Sequence, residues 1–176
     1  MMKSMLICAT FALASGVVFA QSDTATSQTG TSTKSGGDAM FVRKASEAGA
    51  AEVALGKLGQ AQGKSDQVKQ FAAQMVKDHT AANDELSTIA SEKSLAMASD
   101  PSTKDTAFAK KLATKQGAAF DTAFSRKMLA DHKKAVALFQ QEADSGKDSD
   151  LKAFAAKTLP TLKHHLDMAQ ALGSEK

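Results

Sequence analysis

The sequence predicts an all-α domain of four long helices arranged as two antiparallel hairpins. Three observations carry this. Apolar residues recur at steps of three and four through four long segments. A helix–turn–helix stretch repeats itself 83 positions later. With 43% apolar residues and only two Pro in 176, the chain has enough hydrocarbon for a core and few breaks in its helices.

The first helix is expected after Asp38 as N-cap and runs to Gly63, with the seam Phe41, Ala45, Ala48, Glu52, Leu55, Gly59. The second follows Ser65, with the seam Val68, Ala72, Met75, His79, Ala82, Leu86, Ile89. Ser94 to Ser102, with Asp100-Pro101, breaks the pattern. A short helical piece from about Lys104 to Lys115 then leads to Gly117. The third helix runs from about Ala118 to Ser145, with the seam Leu129, His132, Val136, Phe139, Ala143. Gly146 ends it. The fourth spans about Ser149 to Leu172, with the seam Leu151, Ala155, Thr158, Leu162, His165, Ala169, Leu172 and a kink expected at Pro160.

The repeat supplies a topology. Phe41, Val53, Gly63, Lys69 and Phe71 match Phe124, Val136, Gly146, Lys152 and Phe154 at the same offset of 83. Each hairpin has a short turn. The link Ser94–Gly117 is long enough to run back along the bundle at about 1.5 Å per helical residue. Two antiparallel pairs joined by one long crossover make the ferritin-like four-helix bundle. An up-down-up-down bundle with a loose middle loop is the alternative.

Ahead of the bundle, residues 1–20 read as a secretory signal peptide. Lys3 precedes the apolar run Met5–Phe19, and Val18-Phe19-Ala20 offers small residues for cleavage. The run is short for a membrane span. Residues 21–37 are mostly Ser, Thr, Gly, Gln and Ala and read as a flexible leader. The bundle occupies 38–173, and no transmembrane segment is expected after cleavage. The single cysteine, Cys8, lies in the signal peptide, so disulfides and thiol chemistry are excluded from the mature chain. A net charge of +3 with both signs interspersed excludes a nucleic-acid partner. Phosphate loops, catalytic Ser-His-Asp arrangements and zinc-binding Cys patterns are missing too.

Four seam positions hold ionisable residues, one per helix: Glu52, His79, His132 and His165. Their neighbours Asp78, Asp131 and His164 are expected about 100° away, toward the flank or solvent. A buried carboxylate must be paired, protonated or bound to a metal. Three imidazoles and one carboxylate suit one transition-metal ion, Zn, Fe, Cu or Ni. The other reading is a polar layer in which the His protons satisfy Glu52. Counting residues from the helix ends spreads the four over roughly 13 Å along the axis. Di-iron chemistry is disfavoured, because the residues three before each seam His are Val76, Leu129 and Leu162 rather than Glu. Met75 and Met128, four before His79 and His132, are expected as core fillers, with a thioether role at copper as the alternative. Asp121 is expected as a first-turn helix acid.

The strings Phe41-Val-x-Lys44-Ala, Ala51-Glu52-Val53-x-Leu55-Gly56, Phe71-Ala-x-x-Met75-Val-x-Asp78-His79, Ala130-Asp131-His132 and Thr158-Leu-Pro160-x-Leu-x-x-His165 resemble the domain of unknown function numbered 4142. The resemblance covers nearly all of Asp38–Leu172. It implies a ferritin-like bundle, a bacterial source and a periplasmic or outer-membrane-associated location, and it supplies no activity. Together these readings point to an exported bundle that holds a metal, a binding or stress-related protein rather than an enzyme, with redox or peroxide chemistry at the metal as the enzymatic alternative. The alternative is an envelope structural or stress module with a protein partner.

Overall fold

The computed structural model describes residues 32–174. The signal peptide expected over residues 1–20 and the expected leader up to residue 31 lie outside the described residues. Five helices are formed: α1 (Ser32–Gln62), α2 (Asp66–Glu92), α3 (Thr103–Ala113), α4 (Gly117–Ser145) and α5 (Ser149–Ser174). No described helix is long and apolar enough to cross a membrane. Helices α1, α2, α4 and α5 form the bundle, and α3 is the short piece expected in the crossover. α5 continues through Pro160 as one helix.

One boundary differs from expectation. α1 begins at Ser32, so helix extends into the end of the segment that composition reads as leader. Asp38 therefore does not cap α1. Its carboxylate instead accepts hydrogen bonds from the backbone N–H groups of Lys147 and Asp148, both at 3.0 Å, in the turn between α4 and α5. Asp121, in the first turns of α4, does the same for the other hairpin. It accepts from the N–H groups of Lys64 and Ser65 at 2.8 and 2.9 Å, closing the turn between α1 and α2.

These contacts fix the directions. The end of α1 meets the start of α4, and the start of α1 meets the end of α4, so the two run antiparallel. α1 packs on α2 and α4, and α5 packs on α4 and α2. The order is thus up, down, down, up with one crossover, which is the ferritin-like connection. The crossover leaves α2 through a left-handed residue, Ser94 at φ 54°. The Leu95 N–H reaches the Ala90 carbonyl at 2.8 Å and that of Ser94 reaches Ser91 at 3.2 Å, the bonding of a Schellman cap. The Ser46 hydroxyl on α1 then accepts from the Ala98 N–H at 2.9 Å and holds the crossover to the bundle.

The repeat is visible as an approximate two-fold axis across the bundle. Asp38 and Asp121 are 83 positions apart, as are the turns they close. Ser65 accepts from the Val68 N–H at the start of α2, and its counterpart Asp148 accepts from the Asp150 and Leu151 N–H groups at the start of α5. The edge-on ring pair Phe71–Phe124 matches the edge-on pair Phe154–Phe41.

Apolar burial drives the assembly, at about 1.5–3 kcal/mol for each large side chain removed from water. It divides into two clusters. The upper one includes Leu55, Phe71, Met75, Phe124, Met128 and Ala169. The lower one includes Phe41, Ala45, Leu86, Phe139, Phe154 and Leu162. Met75 and Met128 are fully buried members of the upper core.

Because each hairpin's turn is closed by an aspartate from the other repeat, Asp38→Ala and Asp121→Ala should each destabilise the protein by about 1–2 kcal/mol. Chemical denaturation should give the larger loss for Asp38→Ala, since Asp38 is buried and Asp121 half-buried.

Candidate metal centre

Between the two apolar clusters lies a polar layer. Along α1 it falls between Leu55 and Ala45, along α2 between Met75 and Leu86, along α4 between Met128 and Phe139, and along α5 between Ala169 and Leu162. The residues that fill it are Glu52, His79, His132 and His165, with 4%, 8%, 0% and 1% of their surface exposed.

The three imidazoles converge. Ring centroids are 5.6 Å apart for His79–His132 and 5.4 Å for the other two pairs. One ring nitrogen from each lies within 4.8 Å of those of the other two, close enough for the trio to hold a metal ion. Glu52 lies next to this trio but is not part of it: its Oε1 is 3.9 Å from His132 Nδ1, the ring nitrogen turned toward the Met128 carbonyl. The 13 Å spread expected from the helix ends is not observed. The helix ends are not level, so they make a poor ruler. Each polar residue is three or four positions from an upper-core neighbour, Leu55, Met75, Met128 or Ala169.

Two of the three ring protons, those of His132 and His165, are directed away from the centre. His132 Nδ1 is 2.9 Å from the Met128 carbonyl, which requires the proton on Nδ1 and leaves the Nε2 lone pair free. His165 Nε2 lies 2.9 Å from Asp78 Oδ2, which fixes its proton there and frees Nδ1. Buried His132 Nε2, His165 Nδ1, His79 Nε2 and Glu52 Oε2 have no hydrogen-bond partner. Ligating histidines are commonly oriented in this way, by a carboxylate or carbonyl on the opposite ring nitrogen. At 3.9 Å, His132 and Glu52 are too far apart to hydrogen-bond. A self-satisfied layer would have His protons on Glu52, and these protons go elsewhere.

Asp78 reaches across the α2–α5 interface rather than pointing to solvent. It also accepts from Gln74 Nε2 at 2.6 Å. Burial works to raise its pKa, but the bonds from Gln74 and His165 outweigh it and hold the carboxyl below its ordinary value. Asp131 contacts none of the three histidines. It pairs with Lys127 and Lys134, and Lys127 also pairs with Asp105 on α3. Asp105 and Lys127 were not legible as parts of this layer, because their link spans the crossover. His164 is exposed, as expected. Asp121 serves the turn and lies outside the layer.

Electrostatics follow from burial. Desolvation pushes His79 down to about 3, helped by repulsion from His132 and His165. It pushes His132 down to about 4 against the Met128 hydrogen bond, and it lowers His165 against the pull of Asp78. All three rings are neutral at pH 7, the form that binds metals. Desolvation, with repulsion from Asp131, raises Glu52 to about 8. A cation would reverse that shift.

Comparison with known proteins agrees with the architecture. A crystal structure of a DUF305 fragment from Deinococcus radiodurans has a similar fold. The TM-score is 0.68 at 16% identity, covering 78% of this chain and 95% of that one. At that identity the likeness concerns the fold alone. No curated protein matches the chain significantly. The profile of the Domain of unknown function (DUF4142) matches residues 23–172. The chain therefore belongs to the DUF4142 family.

Proposed function

We propose that this protein is an exported envelope protein that binds one first-row transition-metal ion in the interior of its bundle. His79, His132 and His165 supply nitrogen ligands and Glu52 supplies a carboxylate. The observation that carries this reading is the set of four buried, unpartnered donor atoms. The ring protons of His132 and His165 are committed outward, and burial keeps all three imidazoles neutral. Such a set costs folding energy unless something fills it. Three nitrogens and one oxygen on four helices suit Zn, Cu, Ni or Fe in a site that the fold organises in advance. Asp78 and the Met128 carbonyl orient two of the ligands. Storage or buffering of the ion is the role proposed for the site. The export signal at residues 1–20 supports an envelope location.

Metal analysis and calorimetric titration of purified protein with each of the four ions should show one equivalent bound. The melting temperature should rise by several degrees, since a ligand at a thousand times its Kd contributes about 4 kcal/mol. His132→Ala and His165→Ala should each abolish binding, and Asp78→Ala should weaken it about 10- to 100-fold. Failure of all four ions to bind at neutral pH would overturn the proposal.

The metal-free protein should have a stability optimum near pH 6. The folded state holds a proton on Glu52 that the unfolded chain releases between its ordinary value of 4.5 and about 8, so stability falls as pH rises through that window. The depressed histidines act in reverse. Below about 6.5 the unfolded chain takes up protons that the folded form refuses, so stability falls as pH drops toward 4. Urea unfolding in chelator from pH 5 to 8.5 should show both limbs. Glu52→Gln should shrink the alkaline limb by roughly 3 kcal/mol between about pH 6 and 8, leaving the part that Glu142, raised to about 7 by burial and by Asp38, contributes, and should leave the acid limb.

A further inference from the structure

Beside the histidine cluster the bundle contains a cavity of about 370 Å³. Glu52 and His79 form part of its wall at the polar layer. It continues toward the lower core past Ala48, Ala45, Leu86, Phe139 and Phe154. The seven residues from Glu52 to Ala45 give it a length of about 10 Å. The cavity opens to solvent where the exposed Lys44, Lys104 and Lys134 border it, and its place beside the polar layer calls for a cause.

The internal repeat supplies one. Shifting Glu52, His79, His132 and His165 by 83 positions gives Ala135, Leu162, Gly49 and Ala82. All four line the cavity. The same shift takes Met75 and Met128 to Thr158 and Ala45, which line it as well. With Leu162 the exception, each counterpart is smaller than its partner. The cavity thus lies at the two-fold image of the polar layer, with Asn83 packed against Gly49 in place of one imidazole, and it shares Glu52 and His79 with the donor set.

We propose that this chamber binds a small amphipathic carboxylic acid whose head group reaches the ion held by the histidines and whose hydrocarbon body lies against Leu86, Leu138, Phe139 and Phe154. The proposal rests on the metal reading above. Three neutral imidazoles and one carboxylate leave a divalent ion with one uncompensated positive charge, which favours an anionic head. The acids Asp105 and Asp131 on the wall share Lys127, and Asp131 also pairs with Lys134, so the four lysines on the lining outnumber its two aspartates. The exposed lysines Lys44, Lys104 and Lys134 also border the cavity, and an excess of one sign at an opening raises the local concentration of the opposite ion. The apolar far wall accounts for the hydrocarbon body.

The test uses the Co(II)-loaded protein, whose visible bands report coordination at the metal, titrated with octanoate and separately with acetate. Octanoate should shift the bands and bind at least about tenfold tighter than acetate, because acetate leaves the apolar wall uncovered. Ala135→Leu and Ala48→Leu narrow the chamber without touching a donor. Each should keep Co(II) uptake and lose the preference for octanoate; having two covers the case in which one fails to fold. Bands that respond to neither acid, or equal affinity for both, would overturn the proposal while leaving the metal site standing. Absence of Co(II) uptake would overturn the metal reading, and this proposal with it.

Discussion

The bundle is organised around a cost. Four helices bury a carboxyl and three imidazoles at one level, between two clusters of hydrocarbon, and four of the donor atoms have no partner. Hydrophobic burial above and below supplies the stability that tolerates such a layer. The layer in turn explains several features that would otherwise look unrelated. The outward hydrogen bonds to Met128 and Asp78 fix ring orientation. Asp105, Lys127 and Asp131 place a chain of two carboxylates bridged by one lysine next to Glu52, and its net negative charge adds to the upward shift of Glu52. The downward shift of the histidines and the upward shift of Glu52 are two faces of the same desolvation.

Much of the fold was legible in the sequence because it depends on periodicity. The three-four seam named the inward faces, and it singled out Glu52, His79, His132 and His165 because each interrupts an apolar row. The repeat and the long link between Ser94 and Gly117 were enough for the crossover topology. Convergence was harder to read. Axial level depends on which residues of different helices share a core layer. The helix termini do not report that, since α1, α2, α4 and α5 begin and end at different heights.

Contacts between elements distant in sequence escaped the reading for a related reason. Asp38 and Asp121 sit where an N-cap or first-turn acid belongs, so local rules gave each a local role. Both serve a turn more than fifty residues away. Asp78 was placed on the flank by its spacing from His79, which is correct for its own helix. Whether a flank faces water or a neighbouring helix is a tertiary fact, and here α5 brings His165 to it.

The exchange of aspartates between the repeats has a consequence for how the molecule holds together. Neither hairpin is complete by itself, because the N–H groups at its bend find their acceptor in the other half. The repeats behave as mutual clasps. A severed crossover would leave two pieces with a specific reason to find one another again, and either piece alone would carry an open bend and an uncovered apolar face.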